Sequence, residues 1–290
     1  MKQDTIKSDA LLVLTAAIWG LAFVAQRVGM DHLGPFTFNA IRFFLGCLSL
    51  LPFMIRRRPG GYALKGLIPA GVVCGVFLFA GASLQQAGIV YTTAGKAGFI
   101  TGLYVVLVPF LNMCFRQERA SAGSWIGALL ATAGMYLLSV TEELHMTFGD
   151  FLVLICAFCF AGHLLVVARF AKRFSALYLS FVQFMVCAGL SAVAALFTET
   201  MAPGAVTAAA IPLFYGGVMS VGVAYSLQVV AQKKSPASHA AIILSLESVF
   251  AAAGGWLILG ELLSGRGIAG CGFILAGILV SQLYGRAKKA

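Results

Sequence analysis

The sequence predicts an all-α membrane protein with ten transmembrane helices, arranged as two inverted five-helix repeats. Three observations support this fold class: an apolar composition, ten apolar stretches of membrane-spanning length, and a second half that repeats the first. Of the 290 residues, 60% are hydrophobic and only 10% are charged, and the mean hydropathy is +0.95. A soluble domain could not bury so large an apolar fraction, so lipid must surround much of the chain.

Ten stretches of about twenty apolar residues have the length that crosses the hydrocarbon core of a bilayer. Because lipid offers no hydrogen-bond partner to open backbone groups, each stretch is expected to be a helix. The charged residues 1–9 are expected to form a short tail before the first span. The ten predicted spans are approximately 10–28, 35–55, 66–89, 94–115, 121–140, 151–168, 176–198, 208–231, 238–260 and 267–284.

The second half of the chain repeats the first at a nearly constant spacing, and such self-similarity bears on the whole fold. At a spacing of 143 positions, Ser83-Leu84-Gln85 recurs as Ser226-Leu227-Gln228, and Gly127 and Gly134 recur as Gly270 and Gly277. Nearer the start of each copy the spacing is 141, which pairs Arg42-Phe43 with Gln183-Phe184. A two-residue difference in one loop reconciles the two spacings. The sequence therefore predicts two five-helix repeats, over residues 1–140 and 149–290.

An odd number of helices in each copy has a consequence for orientation. The second copy must enter the membrane from the side opposite to the first. Inverted repeats of this kind recur in secondary transporters, since two similar halves of opposite orientation can exchange conformations and open a central site to each side in turn. The alternative is a duplication that was retained for stability alone.

The distribution of Lys and Arg predicts the orientation of the whole chain. With a cytoplasmic N-terminus, most of the 20 Lys and Arg residues fall in short loops on the inner side, as the positive-inside rule requires. The loop over 141–150 contains Glu142, Glu143 and Asp150 but no Lys or Arg. We therefore predict a multi-pass membrane protein with both termini cytoplasmic. The net charge of +10 reflects this topology, so no nucleic-acid partner is expected.

Motifs for cofactors and catalysis do not occur in the sequence. There is no P-loop, HExxH, GxSxG or pair of aspartates for a metal-bound diphosphate. Cys156 and Cys159 form a CxxC without a second pair, so we interpret them as small apolar residues rather than a metal site. We expect no cofactor, no metal ion and no catalytic residue. The alternative from another class is an intramembrane enzyme that acts on a lipid or isoprenoid substrate.

Polar side chains within the apolar spans are the candidates for a translocation site, because such residues are costly in lipid and usually face the interior of the bundle. The predicted substrate-binding or translocation residues are Trp19, Gln26, Asn39, Arg42, Gln85, Lys96, Tyr104, His163, Gln183, Gln228 and His239. Three of them have another interpretation, since Arg42, Lys96 and His239 could extend to lipid headgroups. For Trp19 and Gln26, which share a helix face, ordinary packing is the alternative.

Glu247 is the only one of the ten acidic residues that lies deep in a predicted helix. Burial disfavours the charged form of a carboxylate, whereas a nearby cation favours it. Three roles remain open for Glu247: a proton carrier that couples transport to the proton gradient, an ion pair with Arg42, Lys96 or His163, and a contact to a substrate ammonium group. Two buried cations set against one acid would favour a small substrate with a carboxylate or another anionic group.

The ordered motifs resemble the drug/metabolite transporter (DMT) superfamily, specifically its ten-helix members with two EamA-type repeats. The resemblance covers nearly the whole chain and is carried by Trp19-Gly20, Phe38 through Arg42-Phe43, residues 91–109, Leu259-Gly260-Glu261 and the paired glycines. It implies a secondary carrier in the cytoplasmic membrane, often an exporter of amino acids or other metabolites. It also implies a central cavity between predicted helices 1–4 and 6–9, with helices 5 and 10 at the periphery.

Two positions depart from the pattern of the superfamily. Phe160-Ala161 stands in the second copy where Trp19-Gly20 stands in the first, and Ser248 follows Glu247 where many relatives have proline. Together with the residues above, the resemblance leads us to expect a secondary active transporter. It would export a small metabolite, such as an amino acid or organic acid, by alternating access. Its partners would be this substrate, membrane lipid and, as a hypothesis, the coupling proton.

Overall fold

The structure is a computed structural model, and it describes residues 2–56, 64–92, 94–116, 121–139, 146–259 and 264–284. Within these ranges every element is helical and no strand occurs. The first half contains α1 (Lys2–Gly29), α2 (Pro35–Arg56), α3 (Leu64–Tyr91), α4 (Ala94–Gly102), α5 (Tyr104–Arg116) and α6 (Ala122–Ser139). The second contains α7 (Phe148–Phe170), α8 (Ala176–Thr198), α9 (Ala205–Ala208), α10 (Ala210–Phe214), a π-helical segment (Tyr215–Tyr225), α11 (Ser226–Gln232), α12 (Ala237–Leu244), α13 (Leu246–Leu259) and α14 (Gly265–Tyr284).

Within the described ranges, eight helical stretches are long and apolar enough to cross a membrane, which makes the chain a multi-pass membrane protein. They are Ile6–Gly29, Pro35–Arg56, Gly66–Tyr91, Ala97–Cys114, Phe148–Phe170, Ala176–Thr198, Ala210–Gln232 and Ala237–Gly254. Two shorter apolar helices lie over Ala122–Leu137 and Gly265–Ser281, at the positions of the fifth and tenth predicted spans. The all-α class is therefore confirmed, and the count of ten spans stays a prediction.

The first helix begins earlier than the composition indicated. We expected residues 1–9 to be a tail, but α1 is already helical from Lys2. Charged residues such as Lys7 and Asp9 are compatible with a helix in water, so a span can continue as a helix beyond the bilayer surface. The charged residues at the start of the chain therefore do not prevent helix formation there.

Local sequence explains where α2 and α7 begin. Proline suits the first position of a helix because its φ is already near the helical value and its missing N–H is not needed there, and Pro35 opens α2. The next backbone N–H groups, of Phe36 and Thr37, donate to the carboxylate of Glu199 at 2.8 Å each. At α7 a capping box joins Thr147 and Asp150, each side chain accepting from the backbone of the other.

Helices α6 and α14 pack directly against each other through glycine. A Cβ atom at Gly127 would lie 2.6 Å from the carbonyl oxygen of Gly277, and one at Gly134 would lie 2.5 Å from that of Gly270. Because these distances leave no room for a side chain, the glycines permit the close approach of the two backbones. The glycines that recur at the 143-residue spacing thus lie in a helix–helix contact.

The two spans that carry Tyr104 and Glu247 are broken near their middle. Leu103 separates α4 from α5, and Ser245 separates α12 from α13. Tyr104 is the first residue of α5, and Glu247 lies in the first turn of α13. Each break therefore places a polar side chain at the start of a half-helix within the membrane.

The π-helical segment Tyr215–Tyr225 is bound to α1 by three side-chain hydrogen bonds. The Trp19 indole N–H donates to the carbonyl of Ser220 at 3.3 Å, and the Thr15 hydroxyl donates to that of Ala224 at 3.3 Å. In the opposite direction, the Tyr215 hydroxyl donates to the carbonyl of Ile18 at 3.0 Å. Since π-helical turns often occur at functional sites, the space between this segment and α1 is a candidate for such a site.

Candidate functional site

A cavity lies between the two halves of the chain. Its walls come from α1, α2, α3, α4, α5, α7, the π-helical segment, α11, α12 and α13. Eight of the residues predicted from the sequence line it: Trp19, Gln26, Arg42, Gln85, Tyr104, His163, Gln228 and Glu247. Side chains that are far apart in the sequence are thereby brought to one site.

The other four predicted residues do not line this cavity or are not described there. Asn39 and Gln183 lie directly behind the wall, where Asn39 accepts from Arg42 Nε at 2.9 Å and Gln183 lies 2.9 Å from His163 Nε2. His239 lies elsewhere and pairs with Asp9. Lys96 belongs to α4, and its side chain is outside the described part of the chain.

Arg42 brings a positive charge to the wall of the cavity. It is only 3% exposed, and its guanidinium carbon lies 5.1 Å from the ring centre of Phe43 and 5.6 Å from that of Phe38. Asn39 is its hydrogen-bond acceptor, and no described carboxylate lies within 4.0 Å of it. A buried charge without a counter-ion is costly, so an anionic group placed beside Arg42 would stabilise it.

Glu247 occupies the same cavity without forming an ion pair to the described side chains. It is 3% exposed and accepts a hydrogen bond of 2.9 Å from the Tyr104 hydroxyl. Neither Arg42 nor His163 lies within 4.0 Å of its carboxylate. Of the ion pairs considered for Glu247, the structure therefore forms neither of these two, and the one with Lys96 lies outside the described side chains.

The family of the chain follows from its sequence over nearly its full length. The model of the EamA-like transporter family matches residues 6–140 and 147–283. The chain belongs to the EamA-like transporter family. The resemblance to the DMT superfamily is thereby confirmed, and this EamA-like chain is grouped with transporters.

Relatives of this EamA-like chain carry transporter names. A protein named "Uncharacterized transporter" from Archaeoglobus fulgidus is 34% identical over 276 residues, which cover 95% of this chain and 86% of the relative. "Uncharacterized transporter YdfC" from Bacillus subtilis (strain 168) is 23% identical over 269 residues, covering 90% of this chain and 86% of the relative. A crystal structure of 18% sequence identity covers 98% of this chain and 99% of its own, with a TM-score of 0.80. At that identity the likeness shows a shared fold.

Neutral amides give the cavity of the EamA-like chain both donors and acceptors. Gln85 donates to the Thr101 hydroxyl at 3.1 Å, and Gln228 donates to Gln232 at 3.2 Å. The side-chain oxygens of Gln26 and Gln228 are buried and have no partner among the described residues. Because buried polar atoms are normally hydrogen-bonded, these two oxygens are available to donor groups of a ligand.

Sequence reasoning missed Tyr225, which joins the aromatic part of the cavity wall. Its ring centre lies 4.6 Å from that of Trp19 and 6.0 Å from that of His163. The counterpart of Tyr225 at the 143-residue spacing is Ala82, so the repeat offered no signal at this position. Thr101 and Ser220, which also line the cavity, were missed because single hydroxyls are common in membrane helices.

Proposed function

We propose that this chain is a secondary active transporter that exports a small metabolite by alternating access. The substrate carries a carboxylate or another anionic group, as amino acids and organic acids do, and its movement is coupled to protons. The observation that carries the substrate class is Arg42, a buried cation that lines the cavity and has no described acid within 4.0 Å. Direction of transport follows the resemblance to the superfamily, whose members are often exporters.

Alternating access requires two halves that can exchange conformations, and two contacts support this arrangement. Phe43 and Phe184, which are equivalent at the 141-residue spacing, have ring centres 6.2 Å apart. Tyr104 and Glu247, which are equivalent at the 143-residue spacing, are directly hydrogen-bonded. Residues that a two-fold axis interchanges can touch each other only near that axis. These contacts therefore favour ten helices in two repeats, residues 1–140 and 149–290, related by a two-fold axis.

The contact between α6 and α14 supports the opposite orientation of the two repeats. Gly127 meets Gly277, whereas Gly134, seven residues later, meets Gly270, seven residues earlier. Two helices with this order of contacts run antiparallel. Because Gly127 and Gly134 are the counterparts of Gly270 and Gly277, equivalent helices point in opposite directions, as an inverted repeat requires.

The cavity wall itself follows the repeat. Most lining residues form pairs whose members occupy equivalent positions in the two copies. These pairs are Trp19 with Phe160, Ala22 with His163, Phe23 with Leu164, Gln85 with Gln228, Thr101 with Leu244 and Tyr104 with Glu247. Substrate sites at the interface between repeats are typical of inverted-repeat transporters, so this arrangement favours the cavity as the translocation site.

Proton coupling is assigned to Glu247. The structure does not form its ion pairs with Arg42 and His163, and the side chain of Lys96 lies outside the described part. The pair with Lys96, the proton and the substrate ammonium group are therefore the roles that stay open. A carboxylate within a membrane span is a frequent component of proton relays. We therefore propose that Glu247 binds a proton when the cavity opens to one side and releases it when the cavity opens to the other.

The proposed transporter lies in the cytoplasmic membrane with both termini in the cytoplasm. The excess of Lys and Arg in the loops on that side supports this orientation. Membership in a transporter family argues against the intramembrane enzyme, and no observation favours that alternative. Counterflow that returns a labelled compound chemically unchanged supports the carrier, whereas an altered product would support the enzyme.

The substrate class is tested with purified protein in two steps. A thermal-shift screen against amino acids, organic acids and quaternary cations identifies a ligand, and counterflow in proteoliposomes then measures its transport. We expect an anionic or zwitterionic ligand, and we expect Arg42→Gln to weaken its binding at least tenfold while the protein stays folded. Arg27→Gln is the matched control, because Arg27 is half-exposed and pairs with Asp31 outside the cavity. Transport of quaternary cations alone, or normal transport by Arg42→Gln, would contradict the proposal.

A further inference from the structure

We infer that Tyr104 is a positioning residue for Glu247, and that the two side chains form an interchangeable pair on the axis that relates the two halves. The inference rests on the proposed inverted repeat and deepens the proposed role of Glu247. Tyr104 holds the carboxyl group of Glu247 in place, and the two-fold axis explains why this group lies where it does.

The geometry of the pair places it on the axis. Tyr104 and Glu247 are separated by 143 positions, which is the spacing of the repeat, and the hydroxyl donates to Oε1 at 2.9 Å. A two-fold operation that carries position 104 onto position 247 also carries 247 onto 104. A direct hydrogen bond between them therefore has its midpoint at the axis. Both residues are only 3% exposed, so the pair belongs to the interior.

The helix is also interrupted close to both residues, and the break before Glu247 lies one position earlier in the repeat than the break before Tyr104. Tyr104 follows the break at Leu103 and opens α5, and Glu247 follows the break at Ser245 and lies in the first turn of α13. The start of a helix favours negative charge, because its unpaired N–H groups and its dipole point there. The start of α5 would offer the same surroundings to a carboxylate at position 104 as the start of α13 offers to Glu247.

A position on the axis has a consequence for alternating access. When the two halves exchange conformations, groups away from the axis exchange surroundings, whereas a group on the axis keeps its place. Arg42 shows the difference, because its counterpart is Gln183 and lies behind the wall. An acid on the axis can meet water from either side in turn, provided that a partner from the other half holds it there. Tyr104 is that partner.

Other ionisable groups near Glu247 do not replace Tyr104 in this role. Tyr225 from the π-helical segment and Cys156 from α7 lie within electrostatic range of Glu247 but form no hydrogen bond to it. Arg42 and His163 share the cavity but lie more than 4.0 Å from the carboxylate. From α1, the cavity residues are uncharged, Trp19 and Gln26 among them. The side chain of Lys96 in α4 is outside the described part. Among the described groups, the Tyr104 hydroxyl is therefore the one that fixes the carboxylate.

The test measures the protonation of Glu247 directly and needs no substrate. Infrared spectra of the full chain in lipid nanodiscs are recorded over a pH series, and the carboxylic-acid C=O band that disappears in Glu247→Gln is assigned to Glu247. In Tyr104→Phe we expect the pH of half-intensity to shift by about one unit, because the carboxylate form loses a hydrogen bond that the acid form needs less. Tyr215→Phe is the matched control, since it removes another hydroxyl that bonds across helices, to Ile18, outside the cavity.

The double exchange Tyr104→Glu/Glu247→Tyr tests the symmetry. We expect the exchanged chain to fold and to show one titrating carboxylic-acid band whose half-intensity lies within about half a pH unit of the original. A Tyr104→Phe chain that titrates like the unmodified chain and Tyr215→Phe would overturn the positioning role. An exchanged chain that does not fold, or that shows no such band, would overturn the interchangeability, because equivalent surroundings should accept either side chain.

Transport measurements separate this inference from the proposed function. If Glu247→Gln still accumulates substrate in response to a pH gradient, the proton role of Glu247 is wrong, whatever the infrared spectra show. If Glu247→Gln loses that accumulation but Tyr104→Phe leaves the titration unchanged, the proposed function stands and the positioning role of Tyr104 is wrong.

Discussion

The imidazole Nε2 of His239 lies 3.0 Å from the carboxylate of Asp9, although 230 positions separate the two residues. The contact joins α1 to the start of α12, and each side chain is less than one-fifth exposed. His239 therefore does not line the cavity, which was one of the two interpretations that the sequence allowed, and its imidazole contacts Asp9 instead. It connects the first helix of one half to a broken helix of the other.

The first prediction concerns this pair. A double-mutant cycle of Asp9→Ala and His239→Ala should give a coupling energy of up to about 1 kcal/mol, because partial exposure to water weakens a polar contact between side chains. Detergent-solubilised protein is unfolded with SDS and the four chains are compared. We expect His239→Gln to lose less stability than His239→Ala, since the amide can still donate to Asp9. Strictly additive effects of the two alanine substitutions would contradict the contact.

The second prediction concerns Glu199, whose two carboxylate oxygens accept from the N–H groups of Phe36 and Thr37 and from the Thr37 hydroxyl. Glu199→Ala should lower the free energy of unfolding by about 1–3 kcal/mol, because the first turn of α2 loses its acceptor. Glu199→Gln keeps one oxygen and should cost less. Asp31→Asn is the control on an exposed pair and should change stability by no more than about 0.5 kcal/mol. An effect of Glu199→Ala as small as that of the control would refute the cap.

The third prediction compares two glycines on neighbouring helices. Gly134→Ala on α6 places a methyl group 2.5 Å from the Gly270 carbonyl and should cost about 1–3 kcal/mol through overpacking. Gly272→Ala on α14 meets nothing within 4 Å and should be neutral or up to about 1 kcal/mol more stable. Thermal unfolding followed by size-exclusion chromatography measures both. Equal stability of the two variants would show that α6 and α14 do not approach so closely.

The fourth prediction tests coupling. Glu247→Gln resembles the protonated, neutral form of the acid and cannot release a proton, so transport driven by a pH gradient should be lost while passive exchange of labelled substrate survives. Both are measured in proteoliposomes with and without the gradient. Glu199→Gln serves as the control because that carboxylate lies outside the cavity. Accumulation by Glu247→Gln that still follows the gradient would exclude the proton role.

The fifth prediction concerns orientation. A cysteine in place of Met146, which is 70% exposed just before α7, should react with an impermeant thiol reagent in intact cells. Cys114, the last residue of the span Ala97–Cys114, is the internal control and should react only in inverted vesicles. A phosphatase fused to the C-terminus should be inactive. Labelling of Cys114 but not of position 146 in intact cells would reverse the predicted topology.

Several features of the site could be predicted from single positions. Arg42 and Glu247 were expected in a cavity because a charge within an apolar span cannot face lipid at low cost. Gln85 and Gln228 were expected there because they are polar side chains within apolar spans. By contrast, Tyr225 has an alanine counterpart, and a tyrosine in a membrane helix can face lipid, a neighbour or a cavity. Its role became visible only when its ring was found against those of Trp19 and His163.

The sequence alone determined the class of the protein, because lipid acts on each residue separately. The free energy of transfer adds up along a span, so composition and length predict the helices, and the repeat spacing predicts which positions correspond. The tertiary structure alone decided which side chains meet. Packing between distant helices placed Tyr104 against Glu247 and Asp9 against His239. The helix breaks at Leu103 and Ser245 also became visible only in the structure, because no proline lies beside either of them. Such contacts depend on shapes from many segments at once, which no local pattern contains.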